Sequence, residues 1–192
     1  MSLIPVTPPS AEPVTLAEAK DHLRVTTTDE DSLIESLISA AREIAESFTN
    51  RALVTQTWDW KFGAFPACLE VPKAPLVSVT SLQYVDGNGD TQTLATTEYS
   101  VLNATSVTCP GRIVPAYGKA WPAVRGMPND ITVRFVAGYG AALAVPPQIR
   151  WALLLILGEL YARRESALVG ATIVEVPYSA NALLMPFVVH AF

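Results

Sequence analysis

Few residues in this chain have the type and spacing that chemistry needs. Asp86, Asn88 and Asp90, in the stretch DGNGDT, stand at the first, third and fifth positions of an EF-hand-like calcium loop. The pattern then breaks, with Thr91 where the loop needs glycine and Thr97 where it needs a bidentate glutamate. Asn and Gly instead suit a hairpin turn, whose tight corner requires positive φ. The acidic run Asp29, Glu30, Asp31 precedes an apolar-periodic stretch, where carboxylates favour the positive end of a helix dipole. No metal ligand is assigned to either group.

Nucleophilic chemistry has little to draw on. There are two histidines, His22 and His190, and two cysteines, Cys68 and Cys109, with no histidine beside either cysteine. No serine lies in a GxSxG elbow and no GxxxxGK[ST] phosphate loop is present. Gly138 and Gly140 in AGYG read as the end of a strand. Trp58, Trp60 and Trp121 lack the interleaved Lys and Arg of a base-stacking platform and read as core. The expectation is a non-enzyme with no catalytic residues and no cofactor.

The elements that would carry any site fall into three blocks. Thr15 and Glu18 stand at capping-box spacing before a short helix near 15–24. Leu33, Ile34, Leu37, Ile38, Ala41, Ile44, Ala45 and Phe48 then recur at helical spacing, predicting a long amphipathic helix near 30–49. From about 53 to 137, β-branched and aromatic residues alternate between Gly and Pro breaks. In VTQTWDWKF, Val54, Trp58, Trp60 and Phe62 share one face, as in a half-buried antiparallel strand. LVSVTSLQYVDGNGDTQTL reads as a hairpin turning at Gly87 to Gly89, and EYSVLN, GRIVPA and ITVRFVAGYG supply further strands. The third block opens with a helix near 147–164 and closes with a short helix near 179–186. The fold class expected is α+β: a small helical bundle with an inserted antiparallel β-rich block, in a single domain of residues 1–192.

The helix near 147–164 raises the question of cover. Pro146 and Pro147 suit its first turn, and Trp151, Ala152, Leu153, Leu154, Leu155, Ile156 and Leu157 leave it no polar face for two turns. Arg150 and Glu159 interrupt the run before it reaches the roughly 20 residues of a membrane span. Such a helix needs neighbours on every side. The stripe of residues 33–48 would cover one flank, and the inserted sheet or a second copy another. The chain is 50% hydrophobic and only 16% charged, which leaves apolar surface for partners. Its net charge of −5 argues against gripping nucleic acid by phosphate neutralisation. The two separated cysteines suggest a reduced, intracellular protein. The start, MSLIPVTPPSAEP, has no basic and apolar signal pattern. Residues 1–13 read as an extended, proline-stiffened arm.

These segments in sequence, PVTLAEAKDHLRV, DEDSLIESLISAAREIAESFTNRALVTQTW, PGRIVPAYGKAWP, VRFVAGYG and VPPQIRWALLLILGELYARRE, resemble the head-to-tail connector (adaptor) family of tailed bacteriophages and related prophages. The resemblance extends from about Pro13 to Pro186 and rests on structural motifs. It implies a virion protein whose copies form a ring, usually twelvefold, beneath the portal, joining the DNA-filled head to the tail. The implied partners are the portal protein, tail or stopper proteins and other copies of the chain. Genomic DNA would pass through the lumen without specific binding, no membrane is involved, and assembly would take place in the bacterial host cytoplasm. The alternatives are a tail-completion or stopper ring protein, a metal- or ligand-binding α+β domain, and a nucleic-acid-binding module.

One segment stands out as a docking candidate. Ser179 could cap the last helix and Pro186 should stop it. Leu183, Leu184, Met185, Phe187, Val188, Val189, His190 and Phe192 then form an apolar end, and a free end is normally polar and frayed unless something ties it down. The expectation is a tail, 187–192, that inserts into the portal or a neighbouring copy and whose removal leaves the subunit folded. The alternative is that it folds back on its own core.

Overall fold

The computed structural model describes residues 1–163 and 178–189. Four helices form one layer: α1 (Leu16–Leu23), α2 (Asp31–Thr49), α3 (Pro147–Ala162) and α4 (Tyr178–Leu184). Eight strands lie beside it: β1 (Ser2–Thr7), β2 (Gln56–Phe62), β3 (Leu69–Glu70), β4 (Leu76–Val85), β5 (Thr91–Thr93), β6 (Tyr99–Leu102), β7 (Arg112–Pro115) and β8 (Ile131–Ala137). The α+β class and the insertion of β2 to β8 between α2 and α3 are as the sequence indicated, whereas β1, in the segment read as an extended arm, precedes α1 and joins the larger sheet.

The helix ends follow local chemistry. Thr15 Oγ1 accepts the Glu18 N–H at 3.2 Å while the Thr15 N–H donates to Glu18 at 2.9 Å, closing the capping box. Both α1 and α2 end on a left-handed residue, Arg24 (φ 58°) and Asn50 (φ 54°), which turns the chain and satisfies late carbonyls. At the far end, α4 begins at Tyr178, so Ser179 lies within the helix and not at its cap. A 3-10 turn, Met185–Phe187, carries the chain past Pro186.

The strands form two sheets. The larger has the order β1-β2-β8-β4-β5 and the smaller β3-β7-β6, all antiparallel. β2 and β8 pair without interruption from Gln56↔Ala137 to Phe62↔Ile131. This register sends Trp60, Phe62, Ile131, Val133 and Phe135 into the sheet core, as the period of two requires. Trp121 stacks on Phe65 at 4.7 Å, against the same cluster. Residues 2–7 pair with β2 as an edge strand. The hairpin at Gly87 to Gly89 closes on Asp86, whose Oδ1 accepts the N–H groups of Asn88 at 2.9 Å and Asp90 at 3.1 Å. Gln92 donates to its other oxygen at 2.9 Å. The carboxylate that resembled a calcium ligand is occupied by its own turn.

The helices share a second core. Ile34, Ile38, Ala41 and Ala45 of α2 meet Ile149, Leu153, Ile156 and Leu157 of α3 and Leu184 of α4. Each large side chain so buried stabilises the layer by roughly 1.5–3 kcal/mol before ordering costs. One expectation for α3 is corrected here. Its cover comes from α1, α2 and α4, not from the inserted sheet. Within the single chain Trp151 is 54% exposed. Among the described residues, α1, α2 and α4 leave the flank at Trp151 open, the side for which a second copy is the other expected cover. No described helix is long and apolar enough to cross a membrane.

Candidate functional site

Two places on the helical layer combine apolar surface with directed polar groups: the C-terminal segment and a groove between α1 and α3. Both depend on how the helices are fixed to the sheets.

That joint is a buried polar cluster. Arg42 and Glu46, one turn apart on α2, are both buried, with guanidinium and carboxylate 3.0 Å apart. Glu46 Oε1 accepts the Leu53 N–H at 2.8 Å and the Gln56 side-chain amide at 2.6 Å. Arg42 also reaches Glu12 at 2.8 Å, and Lys73 donates to the Glu46 carbonyl at 3.1 Å. Burial pushes the Glu46 carboxyl up from its usual range, against the hydrogen bond from Leu53 and the charge of Arg42. The cluster pins the segment before α1, the body of α2 and the start of β2 to one another. Sequence reading missed it, although Arg42 and Glu46 at i,i+4 beside Ala41 and Ala45 were a visible signal.

The C-terminal segment lies on its own subunit as far as Val189. Leu184 is fully buried against the helical core, and Leu183 and Phe187 pack on that core partly exposed. The Val189 side chain is buried, its N–H donates to the Thr49 carbonyl at 3.0 Å, and its carbonyl accepts from the Asn50 side chain at 3.0 Å. Arg51 donates to the Phe187 carbonyl at 2.5 Å and to the Val107 carbonyl at 2.6 Å. Val188 and Val189 help line a cavity of about 310 Å³ with Asn103, Thr108, Cys109, Pro110 and Arg112. Leu184 and Val189 thus follow the alternative in which the segment folds back on its own core: the end of α2 offers unpaired carbonyls and an apolar slot, and these residues fill them. Met185 is exposed, at 61%. His190 and Phe192 lie outside the described residues.

The second place is a groove of about 480 Å³ lined by Val14, Glu18, Asp21 and His22 on one side and Pro147, Arg150, Trp151 and Leu154 on the other. Arg150 ties the two walls, donating to the Pro13 carbonyl at 3.0 Å and to the Glu18 carboxylate. The Thr15 backbone N–H, together with its hydroxyl and with Arg150, holds the Glu18 carboxyl below its usual range. His22 meets Trp151 edge to face at 5.8 Å. A Cβ on Gly158 would lie 3.5 Å from His22 Nε2, so the imidazole rests against a part of α3 that has no side chain.

None of this forms a reactive constellation. His22 faces an indole, and Cys68 and Cys109 are unpaired thiols, intermediate and exposed. Among the described residues no three His, Cys, Asp or Glu side chains gather as a metal site. What the surfaces offer is packing and charge.

Comparison with known proteins agrees with that character. Residues 13–84, which span α1, α2, β2, β3 and most of β4, match the family model described as phage gp6-like head-tail connector protein. The whole chain superposes on a chain from the neck of an empty gene transfer agent (GTA) particle computed with C6 symmetry. That match has a TM-score of 0.80 and 25% identity, covering 100% of this chain and 97% of that one. A chain from the virion of the native GTA particle gives 0.79 at 24% identity, over 100% of this chain and 97% of that one. One from the native neck computed with C12 symmetry gives 0.77 at 24%, with the same coverage. No curated protein matches significantly. Residues 13–84 thus carry the pattern of the phage gp6-like head-tail connector family, and the chain as a whole has the fold of a protein from the neck of a phage-like particle.

Proposed function

We propose that this protein is a structural connector of a tailed-phage-like particle, whose copies form a ring at the neck between head and tail. The observation that carries the reading is the full-length likeness to a GTA neck chain, helices and inserted sheets together, with the connector match over residues 13–84 beside it. In a ring each copy meets two neighbours through different faces, and the interface closes by rotation. A chain with 50% hydrophobic and 16% charged residues has surface to give to such contacts.

The finer reading is a twelvefold ring seated on the portal protein, followed by tail or stopper proteins, assembled in the host cytoplasm. DNA passes through the lumen without specific binding, consistent with a net charge of −5. The protein carries out no catalysis. The C-terminal segment takes part through what it leaves at the surface, with Met185 foremost; His190 and Phe192, outside the described residues, belong to the same proposed docking segment. The test is imaging of particles that carry the protein, with its neighbours resolved. Twelve copies between portal and tail are expected. Finding the chain elsewhere in the particle, or absent from it, overturns the reading.

A further inference from the structure

We propose that the groove between α1 and α3 receives a lysine or arginine side chain presented on an apolar stretch of a partner polypeptide. The groove carries two carboxylates, Glu18 and Asp21, and one guanidinium, Arg150. Arg150 is already spent on Glu18 and the Pro13 carbonyl. The Asp21 carboxylate is exposed and has no hydrogen-bond or ion-pair partner among the described residues, so the groove keeps one uncompensated negative charge. Beside it stands the half-exposed Trp151, in edge-to-face contact with the His22 ring at 5.8 Å. A cation held by a carboxylate and an indole together gains both an ion pair and an attraction to the ring quadrupole. Val14, Pro147 and Leu154 supply the apolar floor on which the rest of the partner segment would lie. An exposed tryptophan in an apolar pocket rimmed by charge is also the kind of residue that dominates protein interfaces.

The proposal rests on the connector reading in that it names one face by which the protein holds a neighbour. Its test is independent of ring assembly, because binding is measured on the isolated full-length chain. The probes are two acetylated and amidated tripeptides, one with arginine between two leucines and one with citrulline in its place. The readout is the NMR signals of the Trp151 indole and the His22 ring. The arginine peptide should shift both, and the citrulline peptide should bind about tenfold more weakly, the scale of one lost charge contact. Asp21→Asn should remove most of that difference while leaving thermal unfolding unchanged. Equal binding of the two peptides, or shifts that map away from Trp151, overturns the proposal. Self-association of the wild-type chain that is lost in Asp21→Asn would support it and identify the partner as a second copy. A chain that binds the peptide as expected yet never enters particles would leave the groove standing and sink the connector reading.

Discussion

The Arg42 guanidinium lies 3.0 Å from the Glu46 carboxylate, and neither side chain is more than 8% exposed. The same carboxylate holds the Leu53 N–H and the Gln56 amide, so one buried charge serves both the helical layer and the first long strand of the sheet. Removing one member of a buried ion pair strands the other in low dielectric.

Glu46→Ala should therefore destabilise the subunit by about 3 kcal/mol, measured by urea unfolding. Glu46→Gln, which retains an oxygen for Leu53, should cost less than the alanine variant. A Glu46→Ala protein as stable as wild type would show that the cluster is not the joint described.

The acid side of the stability profile should depend on Asp59. The bidentate hydrogen bonds from Arg134, both 2.8 Å, and the guanidinium charge hold this carboxyl below its usual 3.8. With the folded value depressed, the unfolded chain takes up the proton first. The contribution is thus present above about pH 3.8 and is lost as pH falls through the folded value. Asp59→Asn should flatten the fall in melting temperature between neutral and acid pH. An unchanged slope would remove Asp59 from the account.

Gly138 should tolerate no side chain. Its φ is +138°, and a Cβ there would lie 2.6 Å from the Val54 carbonyl carbon. The obstacle is backbone that is itself fixed, through Thr55 and Leu53, to Gly140 and Tyr139. Gly138→Ala should cost about 3 kcal/mol or more, from strain and overpacking together. Gly140, whose Cβ would meet only Ala144 at 3.8 Å, should lose less on the same change. Calorimetry of the two variants decides the order.

Deletion of residues 187–192 should weaken the isolated subunit. The deletion removes the Val189 side chain from its slot and takes partners from Thr49, Asn50 and Arg51. A buried guanidinium left with one acceptor fewer is costly. A loss of about 2–4 kcal/mol is expected, read by thermal unfolding. If the truncated chain melts with wild type, the segment is dispensable to the fold and free for a partner.

Much of this architecture is written in local sequence, because local physics suffices for it. Thr15 and Glu18 announce the first helix through contacts three residues apart, and the spacing of Ile34, Ile38, Ala41 and Ala45 defines the inner face of the second. The alternation of Trp58, Trp60 and Phe62 identifies a strand with one buried side, and the turn residues after Asp86 mark the hairpin. The order of these segments was enough to suggest the connector family.

What only tertiary structure decided concerns groups brought together from far along the chain. The run around Trp151 is apolar on all sides, and its sequence does not say which flank the fold leaves bare. Among the described residues three helices cover it, and Trp151, against the His22 ring, stands where that cover ends. An apolar C-terminal segment reads the same whether it seeks a partner or its own core. Its direction was decided by the carbonyl of Thr49, the amide of Asn50 and the guanidinium of Arg51, which lie more than a hundred residues earlier and meet it only in the folded chain. Periodicity reports which side of an element avoids water, whereas the identity of what covers that side is a property of the assembled chain.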